Sequence, residues 1–153
     1  MTDRAGFEVF YRMRLGSVVR ACTLVTLDAG VAEEIAAEAF ARTWAKWSHI
    51  QDEDHAGGYV YTTAMRLCAK RGARRGRERL EFRDRSVSDE TAAVVQRETL
   101  FRALALIPLR QRQAVVLRDW AGYPTDEVAR MLGIEEPTCA YTSRAAEPRC
   151  AKH

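Results

Sequence analysis

The sequence predicts an all-α chain of two small helical domains joined by a short basic linker. Three observations carry this. Apolar residues recur at three- and four-residue spacing through almost every segment, as one face of a helix requires. No run alternates as a half-buried strand would. A dense basic stretch with two glycines separates the periodic segments into two groups. The expected division is residues 1–76, a linker at 77–90, and residues 91–153.

In the first group, Phe7, Phe10, Tyr11, Leu15, Val18, Val19 and Cys22 form an apolar stripe. Leu27-Asp28-Ala29-Gly30 reads as a turn. The next stripe is Ile35, Ala39, Phe40, Thr43, Trp44 and Trp47, with Glu33, Glu34, Glu38, Arg42 and Lys46 largely outside it. Phe40, Trp44 and Trp47 are expected in the core. The polar stretch from Ser48 to Gly58 lacks a period and holds a glycine pair, so it reads as a loop before a third helix from about Tyr59. Tyr59, Thr63 and Leu67 continue that helix, with Val60 and Ala64 beside them. Tyr61 falls off this stripe and is expected to be exposed, whereas Tyr59 can be buried.

Between Arg66 and Arg85 stand nine basic residues against Glu78, Glu81 and Asp84, an excess of six where the whole chain carries +3. The rest of the chain is therefore net acidic. With Gly72 and Gly76 inside it, this segment should fray into a solvated linker. A second series of helices follows. Ser88 before Asp89 and Glu90 resembles a helix start, and Leu100, Leu104 and Ile107 carry the stripe to Pro108. The pattern resumes through Val115, Val116 and Trp120 until Gly122-Tyr123-Pro124 interrupts it. A short helix over Thr125 to Leu132 should end on a left-handed Gly133, and a last one should run from Thr138 to Ala146, before Pro148.

Composition narrows the function. The 153 residues are 47% hydrophobic and 29% charged, without an apolar run of membrane-spanning length and with charges where a signal peptide needs its apolar core. A cytoplasmic chain with no membrane attachment is expected. Cys22, Cys68, Cys139 and Cys150 form no CxxC pair and no finger-like set with histidine, so neither metal nor cofactor is expected. His49, His55 and His153 have no catalytic context, and no glycine loop suits a phosphate. The expectation is a protein that is not an enzyme.

The short helices around Leu132-Gly133-Ile134 have the dimensions of a helix-turn-helix, with Val128, Ala129 and Leu132 inward and Ile134 filling the turn. Such pairs also occur in proteins that never touch DNA. Two longer blocks sharpen the reading. VAEEIAAEAFARTWAKW, residues 31–47, resembles a core-binding helix written AED-x-x-Q-E-x-F-x-x-x-W. IPLRQRQAVVLRDWAGYPTDEVARMLGI, residues 107–134, resembles a block with a Leu-Pro-x-x-x-Arg start, an aliphatic run and an LG turn. In this order both are similar to regions two and four of the extracytoplasmic-function (ECF) sigma factors, sigma-70 family proteins that direct RNA polymerase to promoters. The likeness spans nearly the whole chain.

That resemblance implies a three-helix region two, a four-helix region four, and a set of roles. Glu33, Glu34, Glu38 and Arg42 would meet the clamp helices in the largest subunit of the RNA polymerase core; the plain alternative is a solvated helix face. Tyr61, Arg66, Lys70, Arg71, Arg74 and Arg75 would meet the minus-10 element of promoter DNA, where an unpaired base is captured by stacking and the backbone by cations. Thr138, Tyr141, Thr142, Ser143 and Arg144 would read the minus-35 element. An anti-sigma factor is a further partner the resemblance allows, though no residue here identifies one.

The sequence also departs from the family pattern. Its last helix reads PTCAYTSRAAEPR where the family has a G-T-V-K-S-R-L-S-R-A-R pattern, and its Ser143-Arg144-Ala145 arrives one residue early, a rotation of about 100 degrees. Glu135 and Glu136 place negative charge at the entrance of a helix meant for phosphate. Pro124 replaces a hydroxyl cap, with Thr125 able to cap one position later. Ala37 stands for a usual Gln, and Arg66 lies near a frequent Asn. A diverged sigma-like adaptor, holding polymerase or a regulator without strong minus-35 reading, therefore stays beside the promoter-specificity reading.

Overall fold

The computed structural model describes residues 3–75 and 92–135, apart from the side chains of residues 72–75 and 92–94. Every regular element among these residues is helical. In order they are α1 (Arg4–Thr26), α2 (Ala29–Lys46), a 3-10 turn (Trp47–His49), α3 (Glu53–Arg75), α4 (Ala92–Ala105), α5 (Leu109–Val115), a π turn (Val116–Trp120) and α6 (Thr125–Leu132). The last predicted helix, from Thr138 to Ala146, and the predicted start at Ser88 lie outside the described residues.

The first turn forms as its residues dictate. Asp3 caps α1 by accepting from the Gly6 N–H at 2.9 Å, and Asp28 caps α2 by accepting from Val31 at 3.1 Å. Each such cap stabilises its helix by about 1 kcal/mol. Between the two helices Leu27 takes a left-handed conformation, φ 60°, and its N–H returns to the Thr23 carbonyl at 2.7 Å.

Helices α1, α2 and α3 pack as a three-helix unit around Phe10, Val18, Val25, Ile35, Phe40, Val60 and Met65. At one end Tyr11 meets Phe40 edge-on at 4.9 Å, and Trp47 packs on Phe7 and Phe10 at 5.2 and 5.3 Å. Its indole N–H also reaches the Asp3 carbonyl at 3.1 Å. Trp44 departs from expectation. It touches the Phe7 ring at 4.9 Å, yet 38% of it remains exposed, because it lies at the edge of the stripe rather than its centre.

The third helix begins earlier than the period suggests, at Glu53 rather than about Tyr59. Asp52 is the reason. Its carboxylate accepts from the His55 N–H at 2.8 Å and its carbonyl from Ala56, so the polar stretch nucleates a helix. These bonds from His55 hold the Asp52 carboxyl below its ordinary value. Gly57 and Gly58 therefore sit inside α3.

The second group has shorter helices. Leu104 is buried on α4, while Leu100 faces solvent at 48% exposure, against the expected stripe, and Leu106, just past the helix, is 87% exposed. The helix stops at Ala105, before Pro108, and α5 starts on that proline. A π turn then carries the Ala121 N–H back to the Val116 carbonyl at 2.9 Å. The extra residue in this turn sends Leu117 inward and leaves Trp120 48% exposed, where a regular period had placed Trp120 on the apolar face. Gly122, φ 78°, turns the chain into α6, whose end at the left-handed Gly133, φ 64°, matches expectation. Pro124 stands at the N-cap of α6 with no side-chain cap bond, so Thr125 does not take the capping role. Val128, Ala129 and Leu132 are buried, and Ile134 packs against them.

The two groups share one apolar core. Arg112 extends from α5 to donate to the Val25 carbonyl in the last turn of α1 at 2.6 Å and to Ile107 at 3.0 Å. A cation at a helix C-terminus satisfies carbonyls with no intrahelical partner and complements the helix dipole. Arg110 does the same for α6, donating to Leu132 at 2.8 Å. Gln113, 1% exposed, donates from Nε2 to the Met65 carbonyl of α3 at 2.8 Å.

Candidate nucleic-acid interface

At the elbow between α2 and the start of α3 lies an open cavity of about 520 Å³. Arg42 comes from α2, and Asp54, His55, Tyr59, Thr62 and Arg66 come from successive turns of α3. The cap at Asp52 starts α3 early enough for these side chains to share a surface. Two guanidinium groups, a half-buried tyrosine and hydroxyls are groups that hold a phosphate backbone and stack on or hydrogen-bond to an unpaired base. Glu127 of α6 also lines it.

The predicted residues regroup in the folded chain. Glu33 and Glu34 are exposed on α2, as expected of a contact face. Arg71, expected at DNA, donates to Glu34 and to Glu38 at 3.0 Å each, and Glu38 also pairs with Arg42 at 2.5 Å. An ionic chain thus runs across α2 and α3, joining residues assigned separately to polymerase and to DNA. Each exposed pair in it contributes about 0–1 kcal/mol. Arg66 and Lys70 are exposed. Arg74 and Arg75 belong to the last turn of α3, and their side chains lie outside the described residues. The minus-35 set, Thr138, Tyr141, Thr142, Ser143 and Arg144, also lies outside them.

Tyr61 contradicts its expected exposure. It is 3% exposed and meets the Tyr123 ring edge-on, centroids 5.6 Å apart. The three-residue stripe places it off the core of the first unit, but the second unit packs on that side. Tyr59, which sequence alone left open to burial, is half-buried and lines the cavity. Burial, then the neighbouring Tyr61, pushes the Tyr123 phenol up to about 12. Thr62 and Glu127 were not singled out beforehand. Thr62 and Arg66 stand four residues apart, a helical signal that was available, whereas nothing local announces Glu127.

Cys22 and Cys68 are free, buried thiols on α1 and α3. The hydrogen bond with Cys68, followed by burial, raises the Cys22 thiol far above its ordinary value, so Cys22 stays protonated, and both buried side chains pack as apolar groups. Among the described residues no group of histidine, cysteine and acid is placed to hold a metal ion, and no helix is long and apolar enough to cross a membrane.

Comparison with known proteins follows both halves. Residues 97–146 match the family model described as Sigma-70, region 4. The chain is 28% identical over 146 residues to an RNA polymerase sigma-E factor of Streptomyces avermitilis, covering 94% of this chain and 82% of that one. It is 42% identical over 69 residues to the ECF RNA polymerase sigma factor SigM of Mycobacterium tuberculosis, covering 45% of this chain and 33% of that one. In fold it resembles the sigma factor RpoE of Bartonella quintana, solved in complex with the anti-sigma factor NepR. That likeness has a TM-score of 0.75 at 18% identity and covers 92% of this chain and 91% of the other. With the two ordered sequence blocks, these likenesses make the chain similar, along nearly its whole length, to the extracytoplasmic-function sigma factors of the sigma-70 family.

Proposed function

We propose that this protein is a promoter-specificity subunit that directs the RNA polymerase core to promoter DNA and carries out no chemistry of its own. The observation that carries the reading is likeness to sigma-E factors along 94% of the chain, across both helical groups rather than one. Residues 1–76 act as region two, residues 77–90 as a basic linker and residues 91–153 as region four. On α2, Glu33 and the ionic chain of Glu34, Glu38 and Arg42 present the charged face for the clamp helices of the largest subunit. Arg66, Lys70 and Arg71, with Arg74 and Arg75, guide the phosphate backbone of the minus-10 element. Thr138, Tyr141, Thr142, Ser143 and Arg144 approach the minus-35 element. The site of action is the cytoplasm, where polymerase and promoter meet. A regulator of the anti-sigma class is a plausible partner in kind, since the solved neighbour was captured with one.

Transcription with purified core enzyme tests the proposal. The protein should bind core, and promoter selection from a random library on the complex should enrich paired minus-35 and minus-10 motifs. Failure to bind core and to initiate at any selected promoter overturns the reading. Core binding that enriches no paired motif points instead to a sigma-like adaptor.

A further inference from the structure

The ionic chain across α2 and α3 is asymmetric. Arg71 reaches from α3 to two acids of α2 that stand one helical turn apart, donating from Nη1 to the Glu34 Oε2 and from Nη2 to the Glu38 Oε2, each at 3.0 Å. Two carboxylates at this spacing on a helix repel each other. The planar guanidinium between them offsets that repulsion and fixes each acid relative to the other. Glu38 is then engaged on both oxygens, because its Oε1 accepts from Arg42 at 2.5 Å. Glu34 is engaged on one. Its side chain stays 68% exposed, where those of Glu38 and Arg71 fall to 36% and 31%. The most covered member of the chain is thus the cation from α3, and the most open is an acid assigned to polymerase.

We propose that Arg71 is a positioning residue for polymerase binding, whose fork holds the Glu34 carboxylate, braced by Glu38 and Arg42, ready for cationic groups of the core enzyme. The inference rests on the promoter role proposed above, and it adds a duty on the polymerase side for a residue which that role places at DNA. An unfastened glutamate samples many rotamers, and ordering it at an interface weakens binding. Arg71 orders it while the protein is still free. Geometry rather than charge does this. A lysine at the same position keeps the positive charge but, as a point charge without a planar fork, cannot hold the two acids in one fixed arrangement. Glu38 and Arg42 act here as struts, leaving Glu34, with the neighbouring exposed Glu33, to make the contact.

The test is a mutant cycle in which the fluorescently labelled full-length chain is titrated with purified core polymerase and no DNA. Arg71→Lys should weaken core binding about threefold or more. Its melting temperature should stay close to that of the wild type, because exposed ion pairs contribute little to stability. The same Arg71→Lys change made on a Glu34→Gln, Glu38→Gln background should cost nothing further, since the acids it positions are gone. Where that background binds core too weakly to titrate, Glu34→Gln alone serves, and the loss on adding Arg71→Lys should shrink. A residue that merely supports the fold, or touches polymerase directly, loses the same factor in both backgrounds, and that result overturns the proposal. Unchanged or tighter binding by Arg71→Lys overturns it as well, as does a loss of affinity that follows a fall in melting temperature. Failure of the wild type to bind core is a separate result and removes the promoter role itself.

Discussion

Helices α1 to α3 bury Phe10, Val18, Ile35, Phe40, Val60 and Met65 mainly against one another, whereas α4 sinks Leu104 and leaves Val95, Leu100 and the following Leu106 in solvent. The first unit has 23-residue helices at both ends of its order; α5 and α6 have 7 and 8 residues. Short helices are marginal alone and draw stability from packing. The second unit accordingly completes its core on the first, through Gln113, Ala114 and Leu117 and through Val128 on α6. The difference separates two tasks. A long, self-packed unit holds a fixed surface, and a short, docked one can leave it.

The comparison breaks most severely at Phe40. Its replacement by Ala removes a ring at the centre of the first unit and should cost about 3–5 kcal/mol, and both units should melt together in a thermal or denaturant transition. Leu117→Ala sharpens the contrast. It should cost about 2–4 kcal/mol, and native-state hydrogen exchange should show protection lost in α5 and α6 while α1 to α3 keep theirs. Equal loss in both units would contradict the asymmetry. Arg112→Met removes the bonds to Val25 and Ile107 and should cost about 1.5–3 kcal/mol, read as a lower urea midpoint for the second unit. Asp28→Ala, which unseats the α2 cap inside the first unit, should cost only about 1 kcal/mol and leave the docking of α5 unchanged.

A smaller effect follows pH. The Tyr123 phenol stands at about 12 in the docked chain, raised by burial, Tyr61, Glu127 and Asp54 and opposed by Arg14. A group whose folded value is raised lends its full contribution below its unfolded value, near 10, and loses it as pH climbs towards the folded one. Docking should therefore weaken between about pH 10 and 12. Ultraviolet titration should show one late-ionising tyrosine that is missing in Tyr123→Phe. A Tyr123 that ionises at the unfolded value, near 10, would argue against a closed interface.

Much of this architecture was legible because its signals are local. The Leu27 to Gly30 turn, the span of α6 and the left-handed Gly133 all follow from caps, prolines and glycines within a few residues. The early start of α3 was also local, but the cap at Asp52 was outweighed by the glycine pair, which proved to lie inside the helix. Leu100 and Trp120 misled because a period assigns one face and the chain interrupted it, at Ala105 and in the π turn. The candidate site was half legible. Arg42 and Arg66 came from composition and resemblance, whereas the burial of Tyr61 and the arrival of Glu127 depend on residues about sixty positions away, which no local pattern encodes.

The most direct test of the central contrast is the separation of the two units in the free protein and in the complex with core polymerase. Labels on Ala37→Cys of α2 and Arg130→Cys of α6, both exposed positions, in a chain carrying Cys139→Ser and Cys150→Ser, report it by pulsed electron resonance. The account predicts one short, narrow distance in the free protein and a longer one on core. An unchanged distance on core, or a broad distribution in the free chain, would contradict it.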